Sequence, residues 1–412
     1  LAAFFTVAIR QQIRIFESKK GRAPNENETA EIRAQTLSTV RGTVQADQLK
    51  ESMGQNTLVL NLDTALKLMG DVAEFYVDNE VRNHYFVSIS GYHIAEAGAN
   101  PITQAALTLS NGLTYVELFR AKGLDPNKFL RNFSWFFSNG MDPEYSVIGR
   151  VCRRIWAISM REMYGVDERG QKLKYHIQSS GRSLHAQEYT WNDYRTTMQA
   201  LYALADNANS LHTNSRDEAF GTPTEETVRD AVAIQLILSR EYGWLQNENP
   251  LQGSFIAEWL TDHVEEEILK VFEEMHRRGG VLGSLEVNYQ RNRIQDESML
   301  YEHKKHDGSL PIIGVNTFTD PDAEALTADN ADAFNMDVTR SDEQEKKMVI
   351  QRNRDFQQKH SEAAEDGLQK LKDAARNGEN LFSVMMEIVE HCTVGQVTNA
   401  LFETGGKFRR NM

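Results

Sequence analysis

The sequence predicts an α/β protein: an incomplete (β/α)8 TIM barrel, supplying strands four to eight, followed by a helical C-terminal region. Five short β-branched or aromatic runs alternate with longer helical stretches at a spacing of roughly 35 to 45 residues. That is the period of βα units and implies parallel strands covered by helices. Each run delivers polar residues at its C-terminal end, where barrel active sites are built. After Phe318 the βα pattern gives way to acidic and then charged helical sequence.

Taken in order, "LAAFFTVAI" and the residues to Phe16 read as a core-facing helix. The stretch lacks the basic n-region and cleavage-like site of a signal peptide. Because the chain opens at Leu1 inside such a helix, it reads as part of something longer. The strand candidates are Gly42 to Asp47, Val87 to His93, Phe133 to Gly140, Lys174 to Gly181 and Ser210 to Asn214. In the second, Gly91 is expected to let the chain turn, leaving Tyr92 and His93 at the strand end. The clearest helix runs from Pro101 to Lys122, with Asn100 as cap, proline at the first helical position and Gly123 after its end. A doubly wound sheet also fits the alternation, but no GxGxxG or GxxxxGK[ST] follows any strand. A barrel needs eight strands, so the first three are expected from a missing N-terminal part or another chain.

The expected organisation is a partial barrel over 1–318, an acidic linker over 319–340 and a helical docking or dimerisation region over 341–412. Within the last, one long helix is expected from Ser341 to Asn377, then a shorter pair.

A net charge of −14 without a Lys/Arg-rich run argues against nucleic acid or an anionic membrane as partner. No segment holds the uninterrupted apolar length that spans a bilayer. The two cysteines, Cys152 and Cys392, lie far apart without metal-ligand spacing. They suggest a reducing, cytoplasmic compartment and no structural zinc.

A histidine such as His93 at one strand end supports little by itself. Gln45, Gln55, His176, Gln178, His212 and Asn214 change the odds, because they project polar groups where the barrel mouth should lie. A polar pocket follows. It holds no G-x-S-x-G elbow, HExxH or Cys/His cluster. Asp217 and Glu218 could form a carboxylate pair, but they also read as an acidic first helical turn. A site rich in Gln, His, Tyr and Ser without a nucleophile points to a cofactor that carries the hard chemistry. "KKHDGS", Lys304 to Ser309, reverses the order of the axial cobalamin motif D-x-H-x-x-G and reads as a turn, so it is discounted as a ligand site.

"SISGYHIAEAGA", "HIQSSGRSLHAQE", "SLHTNSRDEAFGTPTEE" and "NPLQGSF" closely resemble the substrate-binding barrel of the adenosylcobalamin-dependent acyl-CoA mutases. The resemblance runs in register from about Ile32 to Phe318, and "ALFETGGKFRRNM" looks like the C-terminus of the fused isobutyryl-CoA mutases. By that resemblance, Tyr92 and His93 are catalytic and lie at the cofactor, with His93 near the substrate carbonyl. Gln45 contacts the thioester arm. Gln178 and Glu218 hold the cobalamin ring and adenosyl ribose, and His176 and Ser134 bind CoA. Gln55 stands where methylmalonyl-CoA mutases carry an arginine that clamps the substrate carboxylate. A neutral amide cannot replace a bidentate guanidinium there, so an uncharged branched acyl group is implied. Asn132, where a CoA-contacting arginine is often found, sides with the same branch.

The resemblance thus implies a radical mutase interconverting isobutyryl-CoA and n-butyryl-CoA by 1,2-migration of the thioester group. It also implies adenosylcobalamin bound mainly by a domain absent from this chain, a G-protein chaperone module, and a homodimer. The chain alone is expected to be inactive. The alternatives are a mutase for methylmalonyl-, pivalyl- or isovaleryl-CoA, and a non-catalytic assembly remnant.

Overall fold

A computed structural model of the chain describes residues 1–321 and 341–409. Most of these residues are helical, and the strands lie in two small parallel sheets. In the first, β1 (Gly42–Thr43) pairs with β2 (His84–Tyr85). In the second, β3 (Val87–Ser90), β4 (Phe133–Asn139), β5 (Tyr175–Ser179) and β6 (Ser210–His212) pair in that order. Only Phe86 separates β2 from β3, and its N–H donates to the Asn132 carbonyl at 3.3 Å. The strands therefore follow one another in sequence order, β1 beside β2, then β3 to β6. A doubly wound sheet would reverse its order at a switch point. Among the described residues the order is consistent with a barrel wall.

The register sorts the side chains into two faces, because paired residues of a parallel ladder share a side and successive residues alternate. Val87, Ile89, Phe133, Trp135, Phe137, Tyr175 and Ile177 lie on one face, and all are 4% exposed or less. The helix Pro101–Ala121 packs over β3 on this side. It begins as expected, with Thr103 N donating to Asn100 Oδ1 at 2.9 Å and proline in its first turn. Its Gly112 leaves room for the Trp135 ring: a Cβ there would lie 3.0 Å from Trp135 Cζ3. The N-terminal helix Ala2–Lys20 buries Ala2, Phe5 and Ile9.

Several expectations need correction. The second strand stops at Ser90, and Tyr92 and His93 open a short helix, Tyr92–Glu96. Gly91 has φ −83°, open to any residue. Glycine is needed there for space, since a Cβ would come within 2.8 Å of Gln104 Cγ and 3.1 Å of Phe137 Cδ1. The strand His84–Tyr85 was not anticipated, because two residues carry no periodicity. No helix begins at Asp217; its carboxylate instead receives Thr224 N and Thr227 Oγ1 at 3.2 and 2.7 Å, ahead of the helix Glu225–Leu236. "KKHDGS" is the last turn of the helix Tyr289–Asp307 with its left-handed Gly308 cap, not a free turn.

In the C-terminal region the expected long helix breaks at His360 into Glu343–Lys359 and Ser361–Asn377. The helices Leu381–Ile388 and Val394–Gly405 follow, and their apolar faces close a second small core with Leu60 and Ala65. This region packs back on the helix Leu62–Asp78. Buried Asp71 joins the two, accepting Lys67 Nζ, Lys122 Nζ and Leu381 N at 2.7, 3.0 and 2.9 Å. Of the expected linker 319–340, all but the first three residues lie outside the described residues. Among the described residues, no helix is long and apolar enough to cross a membrane.

Candidate functional site

The second face of the four-stranded sheet carries the predicted site. Ser88 and Ser90 of β3, Ser134, Phe136 and Ser138 of β4, His176 and Gln178 of β5, and Ser210 and His212 of β6 share it. Ordinary barrel interiors are filled with bulky branched side chains. Here small hydroxyls, an amide and two imidazoles stand in their place beside Phe136, with Ser88, Ser90 and Ser138 buried. Ser134 Oγ donates to the Val87 carbonyl at 3.2 Å, and His176 Nδ1 lies 2.9 Å from Ser210 Oγ. Burial, then the neighbouring His212, lowers the His176 pKa.

At the C-terminal end of this face stand Tyr92 and His93. The Tyr92 ring stacks on Phe136 with centroids 4.8 Å apart and planes 5° from parallel, and His93 meets the same ring edge-on at 5.9 Å. Ser90 Oγ lies 2.8 Å from His93 Nδ1. In the tautomer where the serine hydroxyl donates to Nδ1, the proton of the neutral ring sits on Nε2. Burial, reinforced by the Lys50 charge, pushes the His93 pKa down to about 4, so the imidazole is neutral at physiological pH. Burial, with the carboxylates of Glu96 and Glu218, raises the Tyr92 pKa and keeps its hydroxyl protonated. Ser90 is itself held, its N–H donating 2.9 Å to the buried Asp47, which also accepts the Tyr115 hydroxyl at 2.7 Å.

Around this pair lies a rim of hydrogen-bonded groups. Gln178 Nε2 donates to Asn214 Oδ1 at 2.9 Å, and Asn214 Nδ2 donates to the Ser179 carbonyl at 2.8 Å. Glu96 accepts from Ser138 Oγ at 3.0 Å and from Arg182 N at 2.7 Å; burial nonetheless raises its pKa. Glu218 is exposed, and its pKa is raised by partial burial and then by Asp217. A cavity of about 640 Å³ opens alongside and shares Ser180 and Arg182 with the Glu96 cluster.

Tyr92, His93, Ser134, His176 and Gln178 are thus brought together. Gln45 is exposed just after β1, two residues before Asp47. Gln55 is also exposed, at the end of a π-helical turn, Glu51–Gln55, that packs on the Tyr92–Glu96 helix. Asn132 does not join them. It is 2% exposed, and its amide donates 2.8 and 2.7 Å to the carbonyls of Val81 and His84. In the fold it braces the β2–β3 junction, and the expected contact with CoA has no free donor there. Asn214, expected at the pocket mouth, joins them through Gln178, whereas Glu96 and Phe136 are prominent in the geometry but were not singled out as site residues. Glu96 lies three residues after His93, one helical turn on, and that spacing was the available signal.

Sequential parallel strands with polar groups gathered at their C-terminal ends define a βα-repeat protein with a candidate site on one face of its sheet. The chain belongs to the methylmalonyl-CoA mutase family: the family model of that description matches residues 27–407. Over all 412 residues it is 57% identical to the fused isobutyryl-CoA mutase of Nocardia farcinica and 58% identical to that of Paraburkholderia xenovorans. It spans 38% and 32% of their lengths. With the 2-hydroxyisobutanoyl-CoA mutase large subunit of Aquincola tertiaricarbonis it shares 32% identity over 92% of this chain and 66% of that subunit.

Proposed function

We propose that this chain is the acyl-CoA-binding part of a radical mutase interconverting isobutyryl-CoA and n-butyryl-CoA by 1,2-migration of the thioester group. Its working assembly includes a cobalamin-binding domain or subunit, a G-protein chaperone module and a second copy of the chain. The observation that carries the reading is the polar sheet face ending in Tyr92 and a neutral His93, in a chain this similar to fused isobutyryl-CoA mutases along its whole length.

The small polar face leaves space for an extended pantetheine arm, with Ser134 and His176 along it and Gln45 at the thioester. His93 Nε2–H donates to the acyl carbonyl oxygen throughout the migration without transferring its proton, which suits a ring held neutral, since the N–H of a neutral imidazole is a very weak acid. Gln55 faces the acyl end and offers no positive charge to a carboxylate.

The residues present also fit adenosylcobalamin, a flat macrocycle rimmed with amides. Gly181 follows β5 where a Cβ would sit 3.3 Å from Glu96 Oε2 and 3.8 Å from both Asn214 Nδ2 and the Tyr92 hydroxyl. That leaves a ledge bordered by groups able to bond amides. Tyr92, Gln178 and Glu218 would hold the ring and ribose, and the bound cofactor would supply the hydrogen-abstracting radical chemistry. Tyr92 and Phe136 shield that space from water.

The full-length protein with adenosylcobalamin should convert isobutyryl-CoA to n-butyryl-CoA, and the isolated chain should not. His93→Ala should lower kcat by about 100-fold or more while still binding the substrate. Conversion of methylmalonyl-CoA in preference to isobutyryl-CoA would overturn the substrate assignment, and full activity in His93→Ala would overturn the role of the imidazole.

A further inference from the structure

Beside His93 lies a charged cluster to which no role has been given. Lys50 is 3% exposed, and its Nζ lies 2.5 Å from Glu51 Oε1. Thr57 Oγ1 donates to Glu51 Oε2 at 2.9 Å, and the Gln55 side-chain amide abuts the same carboxylate; a carboxylate has only acceptors to offer, so the amide is assigned with its nitrogen toward Glu51. The backbone fixes this arrangement: the π-helical turn Glu51–Gln55 closes on left-handed Asn56, and Thr57 N donates to the Glu51 carbonyl at 3.3 Å. The turn sits against the catalytic pair, since a Cβ on Gly54 would lie 3.6 Å from the His93 carbonyl oxygen.

A primary amide is planar, with donors at one end and an acceptor at the other. Once Glu51 engages the Gln55 nitrogen, the free end of that side chain is a carbonyl oxygen. Lys50 balances the Glu51 charge, so the discrimination lies in the amide: an acyl group carrying a carboxylate would meet an acceptor oxygen instead of the amide donor that could replace its lost water. An uncharged alkyl group meets no such penalty, and a hydroxyl-bearing one could donate to the oxygen.

We propose that Glu51 is a positioning residue that sets acyl specificity: by holding the Gln55 amide nitrogen it presents the Gln55 carbonyl oxygen to the acyl group, selecting uncharged, including hydroxylated, acyl-CoAs over carboxylate-bearing ones. The proposal rests on the reading of Gln55 as an acyl-facing residue. It differs from that reading in placing the selectivity in a pair, of which Glu51 never touches substrate.

The test is competition binding of isobutyryl-CoA, methylmalonyl-CoA and free CoA to the complete mutase assembly, as wild type, Glu51→Ala and Glu51→Gln. The wild type should prefer isobutyryl-CoA. Glu51→Ala should reduce that preference by about tenfold, as expected for loss of one charge-assisted hydrogen bond, and Glu51→Gln by roughly threefold or more, because only the charge is lost. Affinity for free CoA should stay unchanged in both, which a merely structural role of Glu51 would not produce. If both variants keep the wild-type preference, the role of Glu51 is overturned while that of Gln55 stands. If the wild type shows no preference, the acyl-facing reading of Gln55 fails and the proposal falls with it. Should Glu51→Ala fail to fold, the isosteric Glu51→Gln decides.

Discussion

The two faces of the four-stranded sheet are made by the same four strands, yet they differ in what they offer. On one, Val87, Ile89, Trp135, Phe137, Tyr175 and Ile177 are sealed under helices. On the other, Ser88, Ser134, Ser138, His176 and Gln178 alternate with them along the same strands. The hydrophobic effect acts on the first face, where burial of large rings supplies the driving force. The second gives up most of that contribution and carries hydrogen-bonding groups instead. The difference teaches that stability and binding can be separated within one strand by a period of two residues.

The sharpest way to break this comparison is to mutate neighbours. Trp135→Ala should cost about 3–5 kcal/mol of folding stability, as expected for truncating a fully buried aromatic. Ser134→Ala, one residue away on the other face, should stay within about 0.5 kcal/mol while weakening acyl-CoA binding. Denaturant melts of the two variants decide the matter, and equal losses would mean that the faces are not divided in this way.

Asn132→Ala probes the brace between β2 and β3. It would leave two buried carbonyls, of Val81 and His84, without their donor, and should cost about 1–3 kcal/mol. A stability loss without a change in CoA affinity would separate bracing from ligand contact; a CoA-specific loss would return Asn132 to the site.

The smallest expected effect concerns pH. His93 is held at about 4 in the folded protein against 6.5 when unfolded, so between these values the unfolded chain takes up a proton that the buried ring refuses. Stability should therefore decline as pH falls from 6.5 toward 4, with no contribution from this group above 6.5. His93→Gln should flatten part of that decline. Thermal melts across this range provide the check, and an unchanged acid slope would show that the ring is not buried in its neutral form.

Much of this was legible in the sequence because it is local. The alternation in "VSIS" and "FSWFFSN" marks two-faced strands, and the Asn100–Pro101 start marks the helix that covers them. Tyr92 and His93 could be placed beside the strand end for the same reason. What escaped depends on contacts between distant segments. The strand His84–Tyr85 exists only through its pairing with Gly42–Thr43. Asn132 looks like any exposed amide until the backbone of residues 81–84 closes over it. The break at His360 falls where the helices Ser361–Asn377 and Glu343–Lys359 part, and nothing in a charged periodic run announces it.

The sequence by itself determined the βα order, the polarity of each strand face and the residue types offered at the strand ends, since all three follow from periodicities of two and of about 3.6 residues. Tertiary structure alone decided which of those residues meet. It turned Gly91 from a presumed hinge into a packing requirement set by Gln104, Thr108 and Phe137. It made His93 neutral by burying it against Phe136 beside Lys50. It set the Gln55 amide against the Glu51 carboxylate. The physical reason is common to all three: steric exclusion, desolvation and hydrogen-bond partnership are properties of neighbours in space, which a linear chain specifies only by folding.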